Sequence, residues 1–179
     1  LQAGEFSAKI DPSIFTPAAE NEIILCLNYG GLYGINNINH FMQENNQGKE
    51  IWRGIQRYKV GDPILFNDSA DLFFNNSINR APIIHNNMKA KILDFRLLNP
   101  EKVNECIQFD VELEKPLIEL NTDKLNFEII GTTQRGNSII RFEVYKNKST
   151  DEDDDSVSET IIPFQVSYAV SIHKAQGLE

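Results

Sequence analysis

Residues 23–42 read IILCLNYGGLYGINNINHFM, and this stretch decides the fold. Its first five residues, 23–27, form a continuous apolar run, which is typical of a short β-strand buried on both faces. A glycine-rich turn follows, and the next apolar residues recur at the spacing of one helix face: Ile35, Ile38, Phe41 and Met42. The helix is expected to end at residues 45–48, where Gly48 can cap it. A buried strand, a glycine turn and a helix make half of an α/β unit.

Beyond this stretch, from about Trp52, the sequence becomes β-rich. Apolar and polar residues alternate over residues 89–97, 106–113 and 139–144, which predicts three strands. A turn followed by an extended run occupies residues 60–66. Further turn signals separate the strands at Asn86-Asn87, Asn99-Pro100 and Arg135-Gly136-Asn137. Several short strands with no competing helical period predict a small antiparallel β-barrel.

The order of these segments predicts an α/β fold with a β-rich insertion. Residues 1–19 carry no clear element and stay unassigned, with a tag or a linker as the interpretation. Residues 20–51 form the first part of the α/β domain, and residues 52–160 form the inserted barrel. Residues 161–179 return to the α/β domain, because a second extended apolar run begins there. An insertion explains this order simply, since both flanks then belong to one sheet.

The charge of the chain limits the classes of function. The chain has 179 residues and a formal net charge of −9, whereas a self-sufficient nucleic-acid binder usually has a basic face. Much of the excess lies in the acidic run 151–155, which we interpret as a solvated loop. That run lacks the glycine and the spaced ligands of a calcium loop. No apolar run approaches the roughly 20 residues that cross a bilayer, so no contact with a membrane is expected.

Cysteines and histidines indicate neither a disulfide framework nor a metal site. Cys26 and Cys106 are far apart and each lies in an apolar stretch, so we expect two buried free thiols and a cytoplasmic protein. The three histidines, His40, His85 and His173, share no metal-ligand spacing with each other or with the cysteines.

The end of the chain carries the most specific motif, VSYAVSIHKAQGLE at residues 166–179. It resembles a motor motif of superfamily 1 helicases in the RecD/UvrD group, approximately Tyr-Ala-x-[Thr/Ser]-[Val/Ile]-His-Lys-[Ser/Ala]-Gln-Gly-x-Glu. The resemblance implies an incomplete RecA-like second motor domain of the UvrD-like C-terminal type. Leu178-Glu179 also matches a common cloning junction, which leaves a vector origin of those two residues open. Since the chain stops just after this motif, we expect a fragment of a longer protein.

The resemblance implies a role for each residue of the motif. A hydroxyl, an imidazole and an ammonium in close succession suit the phosphodiester backbone of a single strand. The implied nucleic-acid contacts are Ser171, His173, Lys174 and Gln176. The implied nucleotide-side residues are Gly177, which allows a tight turn near a nucleotide, and Glu179, whose carboxylate can accept a hydrogen bond from a ribose hydroxyl.

Residues 27–43 resemble the strand, turn and helix that open the second motor domain of the same family. Many relatives have an arginine just before the glycine turn, where this chain has Asn28-Tyr29. The departure removes the expected phosphate contact from this turn. An alternative interpretation is that these residues only pack the helix and cap its ends.

Residues 60–67 and 86–92 resemble the strands that begin the Src-homology-3-like barrel of RecD-type helicases. Asn87 and Ala90 stand where relatives have glycine. Lys89 is a candidate contact for nucleic acid leaving the motor, together with Lys91 and Arg80. Solvated barrel surface is the alternative interpretation of all three.

The sequence lacks the phosphate loop Gly-x-x-x-x-Gly-Lys-[Ser/Thr], since Gly48-Lys49-Glu50 has neither the upstream glycine nor the hydroxyl residue. Without that loop nothing cradles the β- and γ-phosphates or completes a magnesium site. ATP and Mg²⁺ are therefore expected as cofactors of the intact parent protein, whereas this chain alone is expected to bind neither and to hydrolyse no ATP.

Two functions from different classes follow. The first is a C-terminal fragment of an ATP-dependent DNA helicase that contributes the grip on single-stranded DNA and part of the ATP cleft. Its partners are single-stranded DNA, the remainder of the helicase chain and, through exposed strand edges, a second copy of the fragment. RNA stays open as the strand, because backbone contacts dominate. The second is a non-catalytic β-barrel protein-interaction module, which the acidic charge favours.

Overall fold

The computed structural model describes residues 23–31, 33–53, 55–67, 84–102, 105–117, 126–145 and 162–175. The described residues form two compact units. The first contains those of residues 23–47 and 167–175, and the second contains those of residues 48–166. The chain is β-rich, and one large antiparallel sheet accounts for most of its strands.

The first unit is a small α/β arrangement. Strand β1 (Ile24–Cys26) pairs in parallel with β10 (Ala169–Ser171), in the register Ile24↔Ala169 to Cys26↔Ser171. Helix α1 (Ile35–Asn45) follows the glycine turn, and helix α2 (Ile172–Ala175) follows β10 directly. The predicted helix face is confirmed in large part, because the buried apolar residues cluster with the strands: Ile35, Ile38 and Met42 against Cys26 and Ala169.

Two details of the first unit differ from the prediction. The apolar run 23–27 is not buried on both faces, because Leu25 is 53% exposed and Leu27 is 82% exposed. Among the described residues, Cys26 of this strand packs against α1, whereas Leu25, whose side chain alternates to the other face, is exposed. The end of α1 is also not capped by Gly48. Asn46 ends the helix in an extended conformation, with its backbone N–H donating to the Gln43 carbonyl.

The second unit is antiparallel throughout. Its strands are β2 (Glu50–Arg53), β3 (Gln56–Lys59), β4 (Pro63–Phe66), β5 (Lys89–Leu98), β6 (Cys106–Leu113), β7 (Phe127–Thr132), β8 (Ser138–Tyr145) and β9 (Phe164–Val166). Strands β2 and β3 form a hairpin, and the other six form one sheet in the order β7-β8-β6-β5-β4-β9. The predicted strands are confirmed as β4, β5, β6 and β8. Strands β2, β3 and β7 were not predicted from the sequence.

The six-stranded sheet curls around its own core. Phe142 on β8 and Phe164 on β9 have ring centroids 6.2 Å apart, although four strand-to-strand steps separate them in the sheet. At about 4.8 Å a step, a flat sheet would hold those strands about 19 Å apart. The inner face therefore closes on a buried aromatic cluster. No ladder joins β7 to β9 in the described part of the chain, so the sheet is curled but open there.

A β-bulge in β5 lets both halves of that strand contribute to the core. The pairing of β5 with β6 shifts between Ile92 and Asp94, which leaves Leu93 as the extra residue. Ala90 and Ile92 are buried before the bulge, and Phe95 is buried after it. Phe95 is three residues after Ile92, so without the bulge strict alternation would turn it to the outer face.

The predicted turns coincide with left-handed backbone conformations. Asn87 has φ 67°, Asn99 has φ 50° and Gly136 has φ 86°. Asparagine and glycine are the residues that adopt this region most readily, which explains why these sequence signals are reliable.

The boundaries between the units differ from the sequence-based ones. Residues 48–51 belong to the second unit, and so do residues 162–166, because β9 pairs with β4. An extended apolar run predicts a strand but does not identify its partner, so only the part of the return segment that contains β10 pairs with β1 as predicted. Residues 1–19 and the acidic run 151–155 lie outside the described residues. No helix within the described ranges is long and apolar enough to cross a membrane.

Candidate functional site

The candidate site lies at the carboxyl end of β10. Ser171 is the last residue of that strand, and His173 and Lys174 follow within α2. Because β1 and β10 are parallel and Cys26 pairs with Ser171, the carboxyl ends of both strands reach the same edge of the sheet. The turn after β1 therefore begins at the edge from which α2 extends. Open α/β sheets bind ligands outside the carboxyl ends of their strands.

Strand β10 is fixed to α1 by one side chain. The Nδ2 of Asn39 donates to the Ala169 carbonyl at 3.1 Å, and the Ala169 N–H donates to the Oδ1 of Asn39 at 2.7 Å. On the other side, the Ile24 N–H donates to the Tyr168 carbonyl at 3.1 Å. Together these bonds hold β10, the strand that leads into the site, to α1 on one side and to β1 on the other.

Ser171 has a local structural role. Its side chain is buried, and its Oγ accepts a hydrogen bond from the Lys174 N–H at 3.2 Å. This is the bond that a serine before a helix makes to the first turn. The hydroxyl was predicted to contact a phosphate. Its oxygen caps α2, and its hydrogen keeps the capacity to donate to a ligand.

His173 and Lys174 differ in their exposure. His173 is exposed, whereas Lys174 is half-buried. Burial lowers the pKa of the Lys174 ammonium, and the nearby Tyr29 phenol acts in the opposite direction. An ammonium that is partly removed from water interacts more strongly with an anion than a fully solvated one does. Lys174 is therefore the residue of this group best suited to hold a phosphate oxygen.

The backbone amides at the end of the glycine turn donate their hydrogen bonds to carbonyls at its beginning. The Ile35 N–H donates to the Asn28 carbonyl at 3.0 Å, and the Asn36 N–H donates to the Tyr29 carbonyl at 3.1 Å. A Cβ placed on Gly34 would lie within 2.6 Å of the carbonyl oxygens of Tyr29 and Gly30, so only glycine fits there. These contacts favour the packing and capping interpretation of the turn over a phosphate contact.

The remaining predicted contacts belong to the second unit or lie outside the described residues. Lys89 lies on β5 in the second unit, with its Nζ 3.7 Å from a carboxylate oxygen of Glu114. Lys91 is exposed on the same strand. The other predicted residues lie outside the described ranges: Arg80, Gln176, Gly177 and Glu179.

Sequence reasoning overlooked the β2–β3 hairpin, whose Trp52 is exposed beside Arg57. The sequence carries a signal for it, because two short segments with strand-forming residues, 50–53 and 56–59, flank the pair Gly54-Ile55 as the strands of a hairpin flank its turn. Within the described residues, no group of three His, Cys, Asp or Glu side chains is arranged to hold a metal ion.

Both cysteines are buried and free, as predicted. Burial raises the pKa of the Cys26 thiol. Burial and the neighbouring Glu143 carboxylate raise that of Cys106. Neither thiol therefore resembles an activated nucleophile, for which the pKa is lowered.

Comparison of the chain with protein-family models, with curated proteins and with solved structures finds no match.

Proposed function

We propose that this chain is part of the second motor domain of an ATP-dependent helicase that moves on single-stranded nucleic acid, similar to the RecD/UvrD group of superfamily 1. In this proposal the first unit is the incomplete RecA-like domain, and the second unit is an inserted Src-homology-3-like barrel. One observation supports it most. The strand of the motif, β10, pairs in parallel with β1, although the whole second unit lies between them in the sequence. Ser171 ends this strand, and His173 and Lys174 follow it.

The chemistry of the group suits a motor that holds its strand without reading sequence. An exposed imidazole and a partly buried ammonium can contact successive phosphate oxygens. Gln176 would add an amide in the same segment, and Gly177 and Glu179 would face the nucleotide. ATP and Mg²⁺ would be held by the phosphate loop of the remaining chain, so this chain alone would contribute binding and part of the cleft wall but no hydrolysis.

The charge of the chain sets the expected strength of binding. With a net charge of −9, affinity for an oligonucleotide must come from a local site, so it should be weak and should fall as salt is added. Binding of this kind is best measured at low ionic strength.

The test is the binding of a labelled single-stranded oligonucleotide, followed by fluorescence anisotropy, to the chain and to Lys174→Ala. The change should weaken binding and reduce its salt dependence, because one cation near a phosphate is lost. Lys115→Ala is the matched control, since Lys115 is an exposed lysine of the second unit. Equal affinities for the two variants would contradict the proposal. In the intact parent, ATP hydrolysis should be stimulated by single-stranded DNA and should lose that stimulation with His173→Ala/Gln176→Ala.

The second candidate is a non-catalytic module that binds a protein partner through the curled sheet. Strand β7 favours it, because this strand is at the edge of the sheet in the described part of the chain and carries the exposed apolar residue Ile130. Such an edge can accept a further strand. A peptide that binds at β7, in a chain that shows no affinity for oligonucleotides, would favour this candidate.

A further inference from the structure

The β2–β3 hairpin has one face on the core of the second unit and one face turned away from it. In its register Ile51 pairs with Tyr58, and Trp52 pairs with Arg57. Ile51 packs against the core and Tyr58 is buried in it. Because side chains alternate along a strand, Trp52 and Arg57 project from the opposite face.

Trp52 is presented to solvent in a fixed geometry. It is 52% exposed, and Ile55 in the turn beside it is 95% exposed. The Cζ of Arg57 lies 5.5 Å from the centre of the Trp52 ring, within the range of a cation–π contact. Trp52 lies on a paired strand and not in a loop, so the backbone that carries the ring is held by the hairpin.

This pairing of side chains fits a nucleobase and its phosphate. Single-stranded nucleic acids are held by aromatic rings on which bases stack, in grooves that carry positive charge. An exposed indole offers the larger stacking surface, and a guanidinium offers a planar donor for phosphate oxygens.

Most cations of the hairpin lie close to acidic side chains. Lys49 is 3.2 Å from Asp94, Arg53 is 2.9 Å from Glu105, and Lys59 is 3.7 Å from Glu50. The feature that favours a ligand is therefore the geometry of Trp52 and Arg57, whose guanidinium lies over the indole.

We propose that the β2–β3 hairpin is a second contact for single-stranded nucleic acid, with one base stacked on Trp52 and the neighbouring phosphate beside Arg57. It rests on the proposed function for its class of ligand, but it assigns a site in the second unit that is separate from the motif after β10. The stacking is independent of base sequence, since every base has a π-face.

Trp52 is the only tryptophan of the chain, so its fluorescence reports on this site alone. The chain is titrated at low salt with short oligo(dT), with oligo(U) and with inorganic polyphosphate. Stacking predicts that an oligonucleotide quenches the emission and that polyphosphate, which has charge but no bases, does not. If both oligonucleotides quench the emission, the site binds single-stranded DNA and RNA alike. If only one of them does, the site is specific for that kind of nucleic acid.

Variants measured by anisotropy of a labelled oligonucleotide complete the test. Trp52→Ala should weaken binding roughly 5- to 100-fold, the range expected for the loss of one stacked base. Trp52→Phe should retain most of the affinity, because a ring remains. Far-ultraviolet circular dichroism checks that both variants fold. Equal affinity of Trp52→Ala and the unchanged chain, or equal quenching by polyphosphate, would overturn the inference.

Lys174→Ala separates the two proposals. If Lys174→Ala loses affinity and Trp52→Ala does not, the proposed function stands and the hairpin site fails. If Trp52→Ala loses affinity and Lys174→Ala does not, the hairpin site stands and the motif is not the grip. A chain that binds no oligonucleotide overturns both.

Discussion

Asn39 and Ala169 are 130 residues apart in the chain and are joined by two hydrogen bonds. The side-chain amide of Asn39 donates to the carbonyl of Ala169 and accepts from its N–H, as the backbone of a neighbouring strand would. A single helical residue thus satisfies both polar groups of a fully buried strand residue.

Replacing Asn39 by alanine should destabilise the first unit. Ala169 is buried, so its N–H and carbonyl would lose their partners without gaining water, and each unsatisfied group costs about 1–3 kcal/mol. The free energy of unfolding in urea should fall accordingly, and the Ala169 amide should exchange its hydrogen faster. Asn36→Ala is the control, because Asn36 is exposed on the same helix. Unchanged exchange at Ala169 in Asn39→Ala would contradict this role.

The turn before α1 should tolerate a methyl group at Gly30 but not at Gly34. A Cβ at Gly34 would overlap the backbone carbonyls of Tyr29 and Gly30, whereas a Cβ at Gly30 meets nothing within 4 Å. Gly34→Ala is expected to cost about 1–3 kcal/mol, as overpacking against atoms that cannot move usually does. Gly30→Ala should stay within about 0.5 kcal/mol of the unchanged chain. Thermal unfolding of the two variants measures the difference, and similar melting temperatures would show that the turn adapts.

Phe109 should be the residue on which the second unit most depends. It is fully buried and contacts four aromatic rings, with centroid distances from 5.0 Å to Phe164 up to 6.3 Å to Tyr58. Phe109→Ala should lower the free energy of unfolding by about 3–5 kcal/mol, because the change removes a large buried surface and leaves a cavity. Ile130→Ala on the outer surface serves as the comparison and should change it little. Urea unfolding, followed by near-ultraviolet circular dichroism, measures the free energy of unfolding of both variants.

Tyr145 should titrate at unusually high pH. Its hydroxyl donates to the Glu143 carboxylate, and this bond, with burial and the charge of Glu143, raises the pKa of Tyr145 to about 12. Because the folded pKa is above the unfolded value of about 10, the stabilisation is complete below pH 10 and is lost as the pH rises towards 12. Glu143→Gln should bring the pKa back towards 10. The ultraviolet absorbance of the phenolate measures it, with Tyr145→Phe identifying the signal. An unchanged titration in Glu143→Gln would contradict the assignment to Glu143.

Local patterns predicted most of the elements. The helical spacing of Ile35, Ile38 and Met42 matches α1, and the alternation over residues 106–113 matches β6 residue for residue. These signals are reliable because one face of each element contacts a core and the opposite face does not. Strand β7 (Phe127–Thr132) escaped prediction since a bulge between Ile129 and Gly131 breaks its alternation.

The pairing between strands that are distant in the sequence could not be predicted from local patterns. The residues around Phe164 predict an extended segment, but nothing in them indicates that it pairs with β4 and not with the strand before the insertion. The capping bond of Ser171 and the partial burial of Lys174 likewise depend on neighbours that a motif does not specify. Exposure of Trp52 is a tertiary property too, because the sequence does not tell which face of its hairpin meets the core.

The parallel pairing of β1 with β10 sets an order of assembly during protein synthesis. Ile24 leaves the ribosome long before its partner Ala169 is translated. The strands of the second unit lie in one continuous stretch, from residue 48 to residue 166, and can pair as soon as that stretch has emerged. Strand β1 must therefore wait for β10 before the two can pair. A chaperone that recognises apolar segments would meet β1 and α1 first and release them last.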